Sequence, residues 1–288
     1  MPEHILGIDI GGTNIVAAVF DLDFNIIGRA KKKSRSKKKD EERTEDRVVR
    51  AAEEALAEAN VESVRGIGIG SPGPLDPTSG TIIETPNLEW KQFPLAQFMS
   101  DAFGVPAVLD NDVNLGTYGE YHFGDVRDCR YVLGVFPGTG IGGGFIVDGQ
   151  LYYGYSGAAI EIGHMTVVRN GPYCGCGKRG CLEAVASRIA IAAEVAALAA
   201  RHDAPYILEN FGTDIANIRS GAIASAIEAG EQRVESVVRE AAYYTGLAVG
   251  NLVNVLSPDA VVLGGGLVEA MPALYMEEVR KGMVEHAM

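Results

Sequence analysis

Residues 4–28 read as a strand, a glycine turn and a second strand: ILGIDI is apolar, GGT turns, and NIVAAVFDLD alternates loosely. The charged run KKKSRSKKKDEERTEDR, 31–47, predicts an exposed strand end and a loop, with a polyanion-binding strip as the alternative. An amphipathic helix is expected over 45–60, with Thr44 as its N-cap. GIGIGSPGPLD, 66–76, predicts a strand ending in a Gly/Pro loop. VPAVLDNDVN, 105–114, predicts a buried strand that ends in polar residues, with a helix following from about residue 113. The plan of the first hairpin then recurs. RYVLGVFPGTGIGGGFIVDGQ, 130–150, is again a strand, a glycine-rich turn, a second strand and a terminal Asp, like HILGIDIGGTNIVAAVFDLD, 4–23. A third glycine cluster, VVLGGGL at 261–267, closes another apolar strand, and the Ala-rich stretch 184–250 has a helical pattern that should pack on the second sheet. Two similar hairpins predict two related α/β domains, divided as 1–117 and 118–288, with a cleft between them.

The chain has 288 residues, 47% of them hydrophobic, enough for one or two sizeable cores. A net charge of −13 disfavours nucleic acid and anionic membranes as partners. No apolar run is long enough for a transmembrane helix, and the N-terminus has neither a basic segment nor an apolar one of signal-peptide type. Four cysteines do not make a disulfide framework in a chain of this size, so a reducing cytoplasm is expected.

Three glycine clusters carry the first candidate chemistry. Asp9-Ile-Gly11-Gly12-Thr13-Asn14 puts an acid at a strand end before two glycines and two small polar side chains. Such a turn brings backbone N–H groups close to phosphate oxygens, and the acid can orient hydrated Mg²⁺; a tight hairpin explains the same residues. Gly138-Thr139-Gly140-Ile-Gly-Gly-Gly144 is the richer turn, and Gly264, Gly265 and Gly266 form the third. No Lys-Ser/Thr follows any of them, so none is a P-loop, and the first two lead into strands, unlike a dinucleotide fingerprint. Several such turns facing one cleft suggest a nucleoside triphosphate. Asp110-Asn111-Asp112-Val113-Asn114 offers four polar groups after an apolar strand. Helix capping needs one or two; a carboxylate among them could take a proton from a substrate hydroxyl during phosphoryl transfer. In GPYCGCGKRGC, 171–181, Cys174, Cys176 and Cys181 do not have redox C-x-x-C spacing. With His164 ten residues upstream they make a Cys₃His set for structural zinc, free thiols being the alternative. A closed metal site would orient Glu161, His164 and Glu183.

These motifs resemble those of ROK-family sugar kinases of the bacterial glucokinase type: DxGGT at Asp9–Thr13, Asn-Asp at Asn111-Asp112, E-x-G-H at Glu161–His164, and C-x-C-G-x-x-G-C-x-E over Cys174–Glu183. The resemblance implies an actin-like, hexokinase-type (ribonuclease H-like) α/β fold of two domains around a cleft, with ATP and Mg²⁺ as cofactors, structural Zn²⁺, and a homodimer or homotetramer. It implies Asp112 as the base at the sugar 6-hydroxyl. Asn87, Asn111, Glu161, His164 and Glu183 would hydrogen-bond the sugar. Asp9, Gly11, Gly12, Thr13, Asn14, Gly138, Thr139 and Gly140 would serve the phosphates and their Mg²⁺, and Gly265 and Gly266 would lie near the adenosine. His164 would meet sugar with one nitrogen and zinc with the other. Glucose is the first expected substrate; N-acetylglucosamine, N-acetylmannosamine, mannose, fructose and allose are handled by similar proteins, and polyphosphate is the alternative donor. The family also contains repressors, which carry a helix-turn-helix before the DxGGT strand; with His4 at the start of this strand, that module and nucleic-acid binding are not expected. The chain departs from the pattern twice. Ile160 stands where glycine usually precedes E-x-G-H, which predicts a different or strained loop. Family chains also usually continue past the position of Met288 with a Gly/Ala-rich segment and a last helix; a protein truly without that tail is expected to be weaker in domain closure, stability and activity.

Overall fold

The computed structural model describes residues 3–34, 43–85, 88–155 and 157–288. Packing divides the chain into two units, Met1–Leu115 with Gly154–Ala158, and Gly116–Tyr153 with Ala159–Met288.

The first unit holds β1 (Ile5–Ile10), β2 (Asn14–Phe20), β3 (Ile26–Lys33), α1 (Thr44–Ala59), β4 (Ile67–Ser71), β5 (Leu75–Asp76), β6 (Thr81–Thr85), β7 (Trp90–Phe93), α2 (Leu95–Phe103), β8 (Ala107–Asn111) and the start of α3 (Asp112–Phe123). Its main sheet runs β3-β2-β1-β4-β8. The first three strands are antiparallel, whereas β1, β4 and β8 are parallel. Alternation decides the faces: Leu6, Ile8 and Ile10 of β1 join Ile15, Ala17 and Val19 of β2 in the core. Helix α1 closes that core with Val48, Ala51, Ala52, Ala55 and Leu56, one face at helical spacing. A side chain on Gly28 would collide with the α1 backbone at Ala55, so glycine there lets strand and helix touch.

Two local readings of the sequence are corrected, and a third falls largely outside the described residues. Helix α1 begins at Thr44 itself; Arg43 is the N-cap and makes no side-chain capping bond. The charged run continues β3 through Lys33, but residues 35–42 lie outside the described residues, and with them most of the supposed polyanion strip. Strand β8 is an edge strand and is buried only in part: Leu109 is 3% exposed but Val108 68%.

The second unit continues with β9 (Tyr131–Pro137), β10 (Ile141–Val147), β11 (Gln150–Leu151), a 3₁₀ turn (Ile162–His164), α4 (Leu182–Ala186), α5 (Arg188–Ala200), α6 (Pro205–Phe211), α7 (Ser220–Glu228), α8 (Gln232–Leu256), β12 (Ala260–Leu263), α9 (Gly266–Ala270) and α10 (Pro272–His286). Its sheet runs β11-β10-β9-β12. Strand β9 is antiparallel to β10 and parallel to β12. The first sheet repeats this plan in β2-β1-β4, so the duplicated hairpin of the sequence is a duplication of topology. The Ala-rich helices pack on the second sheet as expected: Leu133, Val135 and Phe145 share one core with Ile191, Val195, Val238 and Val249. Glycines 246 and 282 let α8 and α10 meet backbone to backbone, and the buried Tyr275 hydroxyl lies 3.2 Å from Thr245 Oγ1. Among the described residues no helix is long and apolar enough to cross a membrane.

Candidate active site

In the first unit the polar groups collect at the carboxyl ends of the parallel strands, where α/β folds place ligands. Register puts Asp9 beside Gly70 and Gly70 beside Asp110, with Asn111 beside Ser71 one step further. The start of α3 lies close to the sheet at Gly70: a Cβ there would make ordinary contact with the Asp112 Cα at 3.6 Å and press only on the end of the Leu115 side chain at 3.3 Å. The four polar groups then separate by task. Asn111 is the cap of α3, its Oδ1 accepting from the N–H groups of Val113 (2.9 Å) and Asn114 (3.2 Å). Asp110 Oδ1 accepts from Asn111 N (2.6 Å) and from Asn114 Nδ2 (3.2 Å). Asp112 accepts from Val113 N at 3.0 Å. Burial pushes its carboxyl above the ordinary carboxylate range, and the Asp9 charge adds to the push. The Asp9 carboxyl is likewise raised by desolvation and makes no hydrogen bond or ion pair among the described residues.

The two hairpin turns have glycines of different kinds. In the first turn Gly11 N donates to Asn14 O (2.8 Å); Ser34 donates through Oγ to Gly11 O (2.5 Å) and through N to Thr13 O (3.0 Å). In the second, Gly138 N donates to Gly140 O (2.8 Å), and Arg188 N to Gly138 O (2.9 Å). Gly140 has no room for a side chain, because Glu183 Oε2 occupies the place. Gly12 and Gly138 are otherwise: a Cβ on either would meet nothing within 4 Å, and neither has positive φ. The fold itself leaves room for a side chain at these two positions, and a glycine there leaves the backbone open to close approach. The third cluster lies against the end of β9. Gly264 N donates to Val135 O (3.1 Å), and a Cβ on Gly265, at φ +87°, would come within 2.8 Å of Pro137 O. Thus Gly138–Gly140 and Gly264–Gly266 are neighbours at the ends of parallel strands.

The E-x-G-H turn is built onto the start of β10. A side chain on Gly163 would strike the Ile141 carbonyl, and Ile141 N donates to Glu183 Oε2 (3.0 Å). One residue of β10 therefore holds both the turn that carries His164 and the carboxylate that follows the cysteine loop. Glu161 is exposed and makes no capping bond. Ile160 adopts φ +59°: the loop keeps a left-handed residue and accepts the strain, roughly 1–2 kcal/mol for a side chain with a Cβ.

The cysteine loop is pinned by Cys174 N to Lys178 O (2.8 Å), Gly180 N to Pro172 O (2.9 Å) and Leu182 N to Met165 O (2.9 Å). The ligand atoms of His164, Cys174, Cys176 and Cys181 all lie within 4.8 Å of one another. Cys174 Sγ is 3.6 Å from His164 Nδ1, and Cys176 Sγ is 3.7 Å from Cys181 Sγ. Around zinc bound at about 2.3 Å, tetrahedral sulfurs sit roughly 3.8 Å apart, so this set fits the ion. Burial pushes the Cys181 thiol up to about 12. A dication would reverse that preference by binding thiolates and releasing their protons. The facing nitrogen is Nδ1, which leaves Nε2 on the opposite side of the ring.

The structure brings Asp9 and Asp112 together in one unit, and Gly138–Gly140, Gly265, Gly266, Glu183, His164 and the cysteines in the other. Asn87 lies outside the described residues. The sequence reading missed Ser34, Ile141 and Arg188; Ile141 lies within the second glycine turn, and each of the three bonds to a partner distant in the chain.

A sequence model described as "ROK family" matches residues 5–288. The chain belongs to the ROK family. Its relatives include the glucokinase of Streptomyces coelicolor, 33% identical over 279 residues, which span 96% of this chain and 86% of that one. The crystal structure of a ROK glucokinase from Streptomyces griseus in complex with glucose and AMPPNP is 31% identical and superposes with a TM-score of 0.83, covering 99% of this chain and 90% of that one. The relatives also include a repressor: the xylose repressor of Caldicellulosiruptor bescii is 32% identical over 222 residues, 76% of this chain and 54% of the repressor. The α/β architecture of this ROK protein is that of the actin-like, hexokinase-type sugar kinases.

Proposed function

We propose that this ROK protein transfers the γ-phosphoryl group of ATP to the 6-hydroxyl of a hexose, with glucose as the first substrate. The observation that carries the reading is Asp112. Capping and pairing account for Asn111, Asp110 and Asn114, but Asp112 holds one backbone N–H at a strand end, beside a second acid, with its proton affinity raised. A carboxylate so tuned is suited to accept a hydroxyl proton as the O–P bond forms. Asp9 would bind the water shell of the nucleotide's Mg²⁺, and the turns at Gly11–Asn14 and Gly138–Gly140 would donate N–H groups to phosphate oxygens. Asn87, Asn111, Glu161, Glu183 and His164 Nε2 would hold sugar hydroxyls, and Gly265 and Gly266 would adjoin the adenosine. His164, Cys174, Cys176 and Cys181 would bind zinc, which fixes the imidazole tautomer and the loop. The relatives support an ATP-dependent sugar kinase over a repressor through the complex of glucose and AMPPNP, while N-acetylmannosamine, N-acetylglucosamine and fructose are the competing substrates. The reading places the enzyme in the cytoplasm as a homodimer or homotetramer; all four cysteines are free, in keeping with a reducing compartment. The test is Mg-ATP with a panel of hexoses and N-acetylhexosamines, with the product examined by phosphorus NMR. A 6-phosphate ester from glucose supports the proposal; an ester at another carbon, or from another sugar only, overturns its specific part.

A further inference from the structure

Two arginines stand at the glycine clusters of the second unit, and no role above uses their side chains. Arg188 opens α5 directly beside the β9–β10 turn. Its N–H holds Gly138 O (2.9 Å), and its guanidinium lies 3.5 Å from Thr139 Oγ1. Arg219 precedes α7, whose first residue, Ser220, reaches the third cluster: its Oγ would be 3.6 Å from a Cβ on Gly266. The two clusters are neighbours, as shown, and the two guanidinium groups are close enough for the charge of one to act on the other. Burial lowers the proton affinity of Arg188, and the Arg219 charge lowers it further. Among the described residues neither arginine forms a salt bridge; the one recorded side-chain bond of Arg219 is from Nε to Ala216 O (3.4 Å). Two cations held side by side without a carboxylate, at backbone turns whose Gly138 stands open, are complementary to an anion with several oxygens.

We propose that Arg188 and Arg219 grip the phosphate chain of the nucleotide, adding side-chain recognition to the N–H groups of the two glycine turns. The assignment rests on the kinase reading and deepens it. It also answers a problem of charge: a molecule of net charge −13 repels a nucleoside triphosphate unless positive charge is concentrated where the phosphates bind.

The test is ADP binding by calorimetry to the full chain and to Arg188→Gln, Arg219→Gln and Arg188→Lys, with melting temperature checking the fold of each. We expect each Gln variant to bind ADP about tenfold more weakly, as loss of a charged, forked contact requires, and Arg188→Lys to recover part of the loss. Raised salt should weaken the wild-type complex more than the variants'. If wild type binds ADP and both Gln variants bind it within twofold as well, the arginine assignment falls and the kinase reading stands. If wild type itself does not bind ADP, both fall. Arg219→Gln makes the decision should Arg188→Gln fail to fold.

Discussion

At the residue scale the account turns on Asp112 and Ile160. A carboxyl whose folded proton affinity is raised favours the fold while protonated. That contribution is present below the ordinary carboxylate range and is lost as pH rises through the raised value. Asp112→Asn removes the cost of ionisation, so at pH 7 the unliganded variant should melt above wild type, and the two should converge in acid. The same substitution should lower turnover about 10²–10⁴-fold, and wild-type kcat/KM should fall as acid protonates the base. A variant that melts lower at pH 7 and turns over normally would remove Asp112 from the site. Ile160 yields a second prediction. Ile→Gly at a part-buried site ordinarily costs roughly 2–5 kcal/mol through lost packing and added chain entropy. Relief of the left-handed strain at φ +59° should bring the loss below about 2 kcal/mol in denaturant unfolding; a full-sized loss would mean that the strain is not there. The polar cluster at 110–114 was legible in the sequence as a run of polar groups at a strand end, but its division of labour was not. Which residue caps depends on where α3 starts, and its first residue, Asp112, is set by the fold and not by a local signal.

At the element scale the hairpins were legible because strand alternation and glycine punctuation are local signals. The edge position of β8 was not, since Val108 is apolar whether or not another strand covers it. The small sheet β5-β6-β7 was also missed, as its strands are too short to show a period. The turns offer a test that separates folding from binding. Gly12→Ala and Gly138→Ala meet no neighbour within 4 Å, so stability should be unchanged or raised by about 0.4–1 kcal/mol, while the KM for ATP rises about tenfold. Lost stability with an unaltered KM would assign these glycines to the fold alone. The cysteine loop was legible from spacing, and the geometry of its four ligand atoms now supports the reading. Freshly purified protein should contain about one zinc per chain, and Cys176→Ser should lose the metal and melt lower. Metal-free protein with the same melting temperature would show that backbone hydrogen bonds alone pin the loop.

At the scale of the whole molecule, two units each carry their own core and the same strand–turn–strand start. Asp9 and Asp112 fall in one, and the cysteine loop with the second and third glycine clusters in the other. That duplication could be read from the sequence because it is written twice in the same local code. The meeting of Arg188 with Arg219 could not, because packing of α5 and α7 against the second sheet creates it. The central claim, ATP-dependent hexose phosphorylation with Asp112 as the base, is tested most directly by sugar-dependent ADP release from Mg-ATP, measured on wild type and Asp112→Asn side by side with sugar binding by calorimetry. The account predicts release by wild type with glucose, and an Asp112→Asn protein that still binds the sugar while release falls to background. Release that does not depend on any sugar, or that survives in Asp112→Asn, would contradict it.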